Sequence, residues 1–360
     1  MTLPEERLDN VTLLEAADPG SMLRQVASSA AQVREGARVA EEADLGELIA
    51  GGRPRAIVVT GMGGSGIAGE VLAAVAGTGC PVQVTTVHDY RLPGWVGAAD
   101  LVIAVSCSGA TEETLSAAGE AARRGCRLLA VGSLGSPLAG MAEQANAAFI
   151  PVKPMGMPRS MLWALSVPLI VVAGRLGIVD LPAEAYEAAA AELERVAHLC
   201  RPDSEAFVNP AKVLALELAG TLPMIWGTSP LAGVAARRLA CQLHENGKYP
   251  AIAGVLPEAN HNQVVVFDGP FASGAVPLRL VLLRDAHEHP QVARRREESA
   301  KLAGQRGIEV SELTAVGDGP LERLASLVQL VDYASVYLAI ALGIDPTPID
   351  VIQELKARIA

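Results

Sequence analysis

A glycine-rich turn near the start of the chain is a strong candidate for binding an anion. The stretch TGMGGSGIAGEVL (Thr60–Leu72) follows the apolar run Ala56–Val59 and precedes a segment rich in Ala, Val and Leu. This order predicts a strand, a turn and a helix, so that backbone N–H groups and a helix N-terminus point at one spot. Such a spot suits a phosphate, with Gly63, Gly64 and Ser65 as the expected contacts. Taken alone, the turn is equally compatible with NAD, a nucleotide, a sugar phosphate or a plain tight turn.

A second turn is rich in hydroxyl side chains. The stretch SCSGATEET, which begins at Ser106, directly follows the apolar run Leu101–Val105. It places Ser106, Ser108 and Thr111 at the start of a predicted helix whose first turn is acidic. Parallel sheets bind ligands at the carboxyl ends of their strands, so the two turns can converge on one tetrahedral phosphate. The alternative is that the two serines only cap the helix.

The first turn also has the spacing of a dinucleotide-binding turn. Gly61, Gly63 and Gly66 form G-x-G-x-x-G, and Asp89, at the end of the next predicted strand, is placed to bind a ribose. The hydroxyl turn that starts at Ser106 has no role in such a site. The dinucleotide interpretation is therefore weaker than the phosphate interpretation.

Two polar segments and one lysine are candidates for proton transfer. In HENGKYPA (His244–Ala251), Glu245 ends a predicted helix, where the helix dipole disfavours a charged carboxylate and favours a general base. In LPEANHNQV (Leu256–Val264), His261 lies between two asparagines. Lys356 is one of only five lysines among 29 basic residues. The alternatives are a surface or capping glutamate, a structural histidine, and a lysine that compensates the last helix turn.

Composition excludes several classes of protein. The chain has 360 residues, 50% of them hydrophobic and 3% aromatic, which is enough for two domains with cores of Ala, Val, Leu and Ile. A net charge of −11 argues against nucleic acid as the main partner. The five cysteines lack CxxC spacing, so we expect reduced thiols and no metal site.

No membrane or export segment is expected. No apolar run reaches the ~20 uncharged residues of a spanning helix, and the nearest candidate, Leu162–Ala173, is expected to be a buried helix. The first residues, MTLPEERLDN, lack the basic and apolar regions of a signal peptide. A cytoplasmic location is the expectation.

Strand-like and helix-like segments alternate twice along the chain, which predicts two α/β units with parallel sheets. Strand-like runs occur at Ala56–Val59, Val82–Val87, Leu101–Val105, Arg127–Val131 and Ala148–Val152, and again at Leu222–Trp226, Val264–Phe267, Leu278–Leu283 and Gly307–Glu312. The predicted organisation is an N-terminal helical segment (1–50), a first α/β domain (51–178), a helical connector (179–204), a second α/β domain (205–345) and a C-terminal helical tail (346–360).

The ordered set of motifs resembles the SIS (sugar isomerase) domain family, and within it the bifunctional phosphoglucose/phosphomannose isomerases. GMGGSGIAGEVL and SCSGATEETL are similar to the two phosphosugar-binding signatures of that branch. HENGKYPA followed by PEANHNQV is similar to its catalytic Glu and His segments, and DPTPIDVIQELK to its C-terminal lysine motif. The resemblance extends from about residue 50 to the end of the chain.

The resemblance implies two SIS domains, each a five-stranded parallel sheet flanked by helices, in a homodimer whose active site is shared between subunits. It implies an isomerase of glucose 6-phosphate, mannose 6-phosphate and fructose 6-phosphate that needs no cofactor. Glu245 would be the base, Arg159 would stabilise the enediolate, and His261, from the partner subunit, would open the sugar ring with Lys356. The 6-phosphate would be held by Ser65, Ser106, Ser108 and Thr111.

Two positions depart from the family pattern S-Y-S-G-N-T. Cys107 and Ala110 stand where the family has Tyr and Asn, which leaves the preferred hexose phosphate open. The competing interpretation of the whole chain is a phosphosugar-binding SIS protein that senses its ligand without converting it. The set of Glu245, His261 and Lys356 favours the enzyme, because a pure binder needs only the phosphate turns.

Overall fold

The computed structural model describes residues 4–272 and 274–359, which form two compact units. The first-sheet unit consists of Ser28–Ala191 and Gly319–Glu322. The second-sheet unit consists of the described parts of Met1–Ala27, Glu192–Asp318 and Arg323–Ala360.

Five helices precede the first strand among the described residues from Pro4 onward. They are α1 (Pro4–Asp9), α2 (Val11–Ala17), α3 (Met22–Ala27), α4 (Ser29–Glu42) and α5 (Gly46–Ala50).

The first sheet has five parallel strands with helices between them, as predicted. Its elements are β1 (Ala56–Thr60), α6 (Gly64–Ala76), β2 (Gln83–Val87), β3 (Leu101–Ser106), α7 (Glu112–Arg123), β4 (Arg127–Gly132), α8 (Pro137–Gln144) and β5 (Ala148–Pro151), followed by a 3₁₀ turn (Pro158–Ser160), α9 (Leu162–Arg175) and α10 (Ala183–Leu199). The strand order is β2-β1-β3-β4-β5. Strands β1 and β3 are adjacent and every residue in them is buried, which explains their continuous Val, Ile and Leu runs.

The second sheet is also parallel, in the order β7-β6-β8-β9. Its unit contains α11 (Pro210–Leu218), β6 (Leu222–Gly227), α12 (Pro230–Glu245), β7 (Ile252–Val255), two 3₁₀ segments (Glu258–His261 and Gln263–Asp268), β8 (Leu278–Arg284), α13 (Pro290–Gln305), β9 (Glu309–Thr314), α14 (Pro320–Ala341) and α15 (Asp350–Ile359).

The second sheet corrects two expectations. It has four strands over the described residues, where the resemblance implied five. The strand predicted at Val264–Phe267 is wrong, because this run lies in a 3₁₀ segment whose Phe267 ring stacks on Trp226 with centroids 5.6 Å apart. The strand beside β6 is instead β7, which the sequence analysis missed. This strand, IAGV, has only four residues, and its alanine and glycine are too small for it to stand out as an apolar run.

The two units divide the chain differently from the predicted segments. Helix α4 packs on α9, where a Cβ at Gly36 would lie 3.2 Å from Val167 Cβ. It is therefore part of the first α/β unit rather than of a separate helical segment. At the other end, the division between units falls inside α10, within the predicted connector.

In the described part of the chain, one helix, α14, is long and apolar enough to cross a membrane, with a mean hydropathy of 1.6 over 18 residues. However, 94% of that window is buried inside the protein, as in the core helix of a globular domain. It is longer than Leu162–Ala173, the nearest candidate in the sequence, whose residues are all buried in α9 as expected.

Candidate functional site

The glycine turn forms as predicted between β1 and α6. Gly63 precedes the helix with φ of 54° and ψ of −129°, a conformation that strongly favours glycine. At the next position, a Cβ on Gly64 would lie 3.2 Å from the Pro158 carbonyl oxygen and 3.5 Å from Arg159 Cα. The absence of side chains here therefore lets the backbone around Arg159 approach the turn.

The hydroxyl turn is not a simple capping motif. Ser106 is the last residue of β3, and its Oγ lies 2.9 Å from Thr111 Oγ1. Thr111 occupies the N-cap position of α7 without a side-chain capping bond. Ser108 is exposed, and its Oγ accepts a 3.3 Å hydrogen bond from the Ala110 N–H. Since neither serine caps α7, this geometry favours the ligand-binding interpretation of the turn.

A buried hydrogen bond joins the two turns. The Cys107 N–H donates to Ser65 Oγ at 3.2 Å, and the Cys107 carbonyl accepts from Ser133 Oγ at 2.6 Å. Ser65 and Ser106 are 8% and 1% exposed. Two turns 42 residues apart therefore form one constellation of hydroxyl groups at the carboxyl edge of the sheet. Burial raises the pKa of the Cys107 thiol, so this cysteine contributes backbone groups rather than a thiolate.

Arg159 is held beside this constellation by a residue that the sequence analysis missed. The Arg159 side chain is 2% exposed and lies in the 3₁₀ turn before α9. Gln32 of α4, itself fully buried, donates from Nε2 to the Ser160 carbonyl at 2.8 Å and accepts from the Ala164 N–H at 3.4 Å. The long separation between Gln32 and Ser160 in the sequence hides this contact from pattern analysis.

His88 supports the glycine turn from the end of β2. Its Nδ1 lies 3.0 Å from the Gly61 carbonyl oxygen, and its Nε2 lies 3.5 Å from Glu70 Oε1. Because a carbonyl oxygen only accepts, this contact requires a proton on Nδ1.

We expect Gly66→Ala to destabilise the turn despite the better helix propensity of alanine. Its Cβ would lie 2.6 Å from His88 Cε1 and 2.8 Å from the Gly61 carbonyl oxygen. The backbone must shift to relieve these contacts, which costs about 1–3 kcal/mol of unfolding free energy. Urea denaturation measures this loss of unfolding free energy. The control is Gly140→Ala in α8, where a Cβ meets nothing within 4 Å. A Gly66→Ala protein as stable as the wild type would contradict the proposed packing.

Glu245 is the last residue of α12, as predicted, and its side chain is half-buried. Helix α12 is anchored to α14 by a buried bidentate pair, in which Arg238 Nε and Nη2 each lie 2.8 Å from an Asp332 carboxylate oxygen. The next residue, Asn246, is fully buried and donates from Nδ2 to Ser335 Oγ at 2.9 Å. The end of the helix therefore holds the Glu245 backbone in a fixed place.

His261 ends a 3₁₀ segment and is exposed. Its neighbour Asn260 donates to Ser299 Oγ at 2.8 Å. Gln263 accepts from Trp226 Nε1 at 2.6 Å and donates to the Ala253 carbonyl at 3.3 Å. These bonds fix the loop on both sides of the imidazole while leaving the ring accessible.

Lys356 lies on α15, whose described residues are all exposed. Val351, Leu355 and Ile359 are 79%, 58% and 71% exposed on one side of this helix. Within a single chain, the helix that carries Lys356 therefore presents an apolar face to solvent.

The structure thus divides the predicted site residues between the two units. The first-sheet unit contains the glycine turn, the hydroxyl turn and Arg159. Direct contacts join these three parts of the site. The second-sheet unit contains Glu245, His261 and Lys356 on three separate elements. Among residues 4–272 and 274–359, no group of three or more His, Cys, Asp or Glu side chains could hold a metal ion.

Comparison with known proteins identifies the family of this chain through a family model and through sequence relatives. A family model described as the bacterial phospho-glucose isomerase C-terminal SIS domain matches residues 207–359. The bifunctional phosphoglucose/phosphomannose isomerase of Caldicellulosiruptor bescii is 34% identical over 304 residues, which cover 84% of this chain and 89% of that protein. The protein of the same name from Aquifex aeolicus is 32% identical over 306 residues, covering 85% and 90%.

The fold agrees with this relationship. The crystal structure of a glucose-6-phosphate isomerase from Chlamydia trachomatis D/UW-3/Cx superposes with a TM-score of 0.69, covering 99% of this chain and 84% of that one at 14% identity. The sequence relatives are similar over most of their own length and over both sheets of this chain. The chain therefore belongs to the bifunctional phosphoglucose/phosphomannose isomerase family.

Proposed function

We propose that this chain is an aldose–ketose isomerase that interconverts glucose 6-phosphate and mannose 6-phosphate with fructose 6-phosphate. The observation that carries the proposal is the buried bond between Ser65 and Cys107, which joins the glycine turn to the hydroxyl turn and so groups their hydroxyl side chains at one edge of the sheet. The named activity of the Caldicellulosiruptor bescii and Aquifex aeolicus relatives supports the same substrates.

The chemistry needs one base and one oxyanion stabiliser. Glu245 removes the proton from C2 of the open-chain aldose and returns it to C1, which yields the ketose. The intermediate is an enediolate, whose negative charge the Arg159 guanidinium stabilises. Because C2 is planar in this intermediate, reprotonation on either face of C2 gives either glucose or mannose 6-phosphate. His261 and Lys356 move the proton that opens the sugar ring.

A coupled assay tests the proposal directly. The purified protein is supplied with glucose 6-phosphate and mannose 6-phosphate separately, and the formation of fructose 6-phosphate is followed. We expect turnover of both aldoses. Tight binding of either sugar without turnover would overturn the isomerase assignment and indicate a phosphosugar sensor.

We further propose a cytoplasmic homodimer whose active sites each use Glu245 of one subunit and His261 of the other. The five cysteines, all among the described residues, form no disulfide, which suits a reducing compartment. The exposed apolar side of α15 is consistent with a helix that is covered in an assembly.

Complementation between two inactive variants tests the shared site. Glu245→Gln and His261→Ala homodimers each lack one group at both sites, whereas a mixed dimer has one complete site. Co-expression should therefore restore about a quarter of the wild-type activity if the subunits pair at random in a two-fold dimer. Co-expression of Glu245→Gln with the double variant provides the control, since no complete site can form. No recovery in the test pair would argue against sharing.

A further inference from the structure

Lys248 makes four contacts that the assigned site does not use. It lies in the turn after α12, has a φ of 51° and is exposed to solvent. Its Nζ nevertheless donates to the Glu245 carbonyl at 3.1 Å and to the Asn246 carbonyl at 3.2 Å. The last carbonyl groups of a helix lack intrahelical partners and carry the negative end of its dipole, so an ammonium group stabilises them.

The same ammonium group reaches the start of the C-terminal tail. Lys248 Nζ donates to the Asp345 carbonyl at 2.9 Å and lies 3.3 Å from the Pro346 carbonyl oxygen. Four residues beyond Pro346 begins α15, the exposed helix that carries Lys356. One side chain therefore bonds both the segment that ends in Glu245 and the segment that leads to Lys356.

The residues on either side of Lys248 fix the turn to the rest of the second-sheet unit. Asn246 bonds α14 through Ser335. The Tyr249 hydroxyl donates to the Thr221 carbonyl at 2.5 Å and contacts the Leu218 carbonyl at 3.0 Å. The turn is thus attached to the body of its unit on two sides, and Lys248 bonds this turn to the start of the tail.

We propose that Lys248 is a positioning residue for the isomerisation. It acts through the two groups that it links, by fixing the end of α12 to the base of the Lys356 helix, without touching the substrate. This inference rests on the proposed function. A displacement of about 1 Å at a reacting group can cost about 100-fold in rate. Loss of a link that positions two such groups is therefore expected to lower kcat.

Two substitutions separate the ammonium group from the backbone. We expect Lys248→Met and Lys248→Gly each to lower kcat by about 10- to 100-fold with KM changed by less than about 3-fold. Glycine adopts positive φ readily, so the Lys248→Gly protein should melt no lower than the Lys248→Met protein. Lys301→Met removes an exposed lysine from α13 that pairs with Glu298 and should leave kcat unchanged. A normal kcat in both Lys248 variants would overturn the proposal.

A double-mutant cycle tests whether Lys248 acts through the tail. If it does, adding Lys248→Met to Lys356→Met should lower kcat further by much less than Lys248→Met does in the wild type. Full multiplication of the two effects would overturn the link. Hydrogen–deuterium exchange provides a readout that needs no activity: amides of 345–359 should exchange faster in Lys248→Met than in Lys301→Met. Unchanged exchange would overturn the inference even in an active enzyme. A wild-type protein without isomerase activity would instead refute the proposed function.

Discussion

Glu245→Gln is expected to lower kcat by about 10²–10⁴-fold while leaving the affinity for fructose 6-phosphate nearly unchanged. The substitution keeps the size and shape of the side chain but removes the group that accepts the C2 proton. The proposed phosphate contacts lie in the other unit, on the turns joined through Ser65 and Cys107. The backbone of residue 245 remains fixed by Asn246 and by the helix that precedes it. Coupled kinetics and calorimetric titration of fructose 6-phosphate measure the two quantities.

Glu309→Gln is the matched control for this variant. Glu309 is an exposed residue at the start of β9 in the same unit, so its neutralisation changes the net charge equally without touching the site. Exchange of the C2 proton of glucose 6-phosphate with deuterated solvent adds a second test, because it follows proton transfer directly. Turnover or exchange within a few-fold of the wild type would show that Glu245 is not the base.

The first sheet could be predicted from sequence because its strands carry their signal locally. Residues 101–105 form an unbroken apolar run because the strand is buried on both faces. The strand prediction failed where a segment with strand-like composition is held in another conformation by tertiary contacts. Val264–Phe267 has a strand-like composition, yet Gln263 bonds Trp226 and Phe267 stacks on it, and these contacts favour a 3₁₀ segment.

The side-chain types of the candidate site could be predicted from the sequence motifs. The residues that hold those side chains in place could not. Hydroxyl groups after parallel strands and a glutamate at a helix end are visible as residue types at fixed places in motifs. Gln32, which holds the backbone beside Arg159, is 128 residues from its acceptor at Ser160. Lys248 bonds Asp345 across 97 residues. Such contacts depend on how the chain folds back, and no single sequence pattern carries them.

Arg159→Met is expected to lower kcat by about 10²–10³-fold with little change in KM, because a group that stabilises the enediolate acts mainly after the substrate has bound. Methionine occupies the buried space of the guanidinium stem without its charge, and the surrounding turn keeps its bond from Gln32. Arg159→Lys should retain part of the rate, since an ammonium group supplies charge but not the planar fork of donors. Arg175→Met, at the exposed end of α9 in the same unit, controls for loss of a cation. A variant that raises KM while keeping kcat would instead make Arg159 a phosphate ligand, because uniform binding leaves the chemical step unchanged.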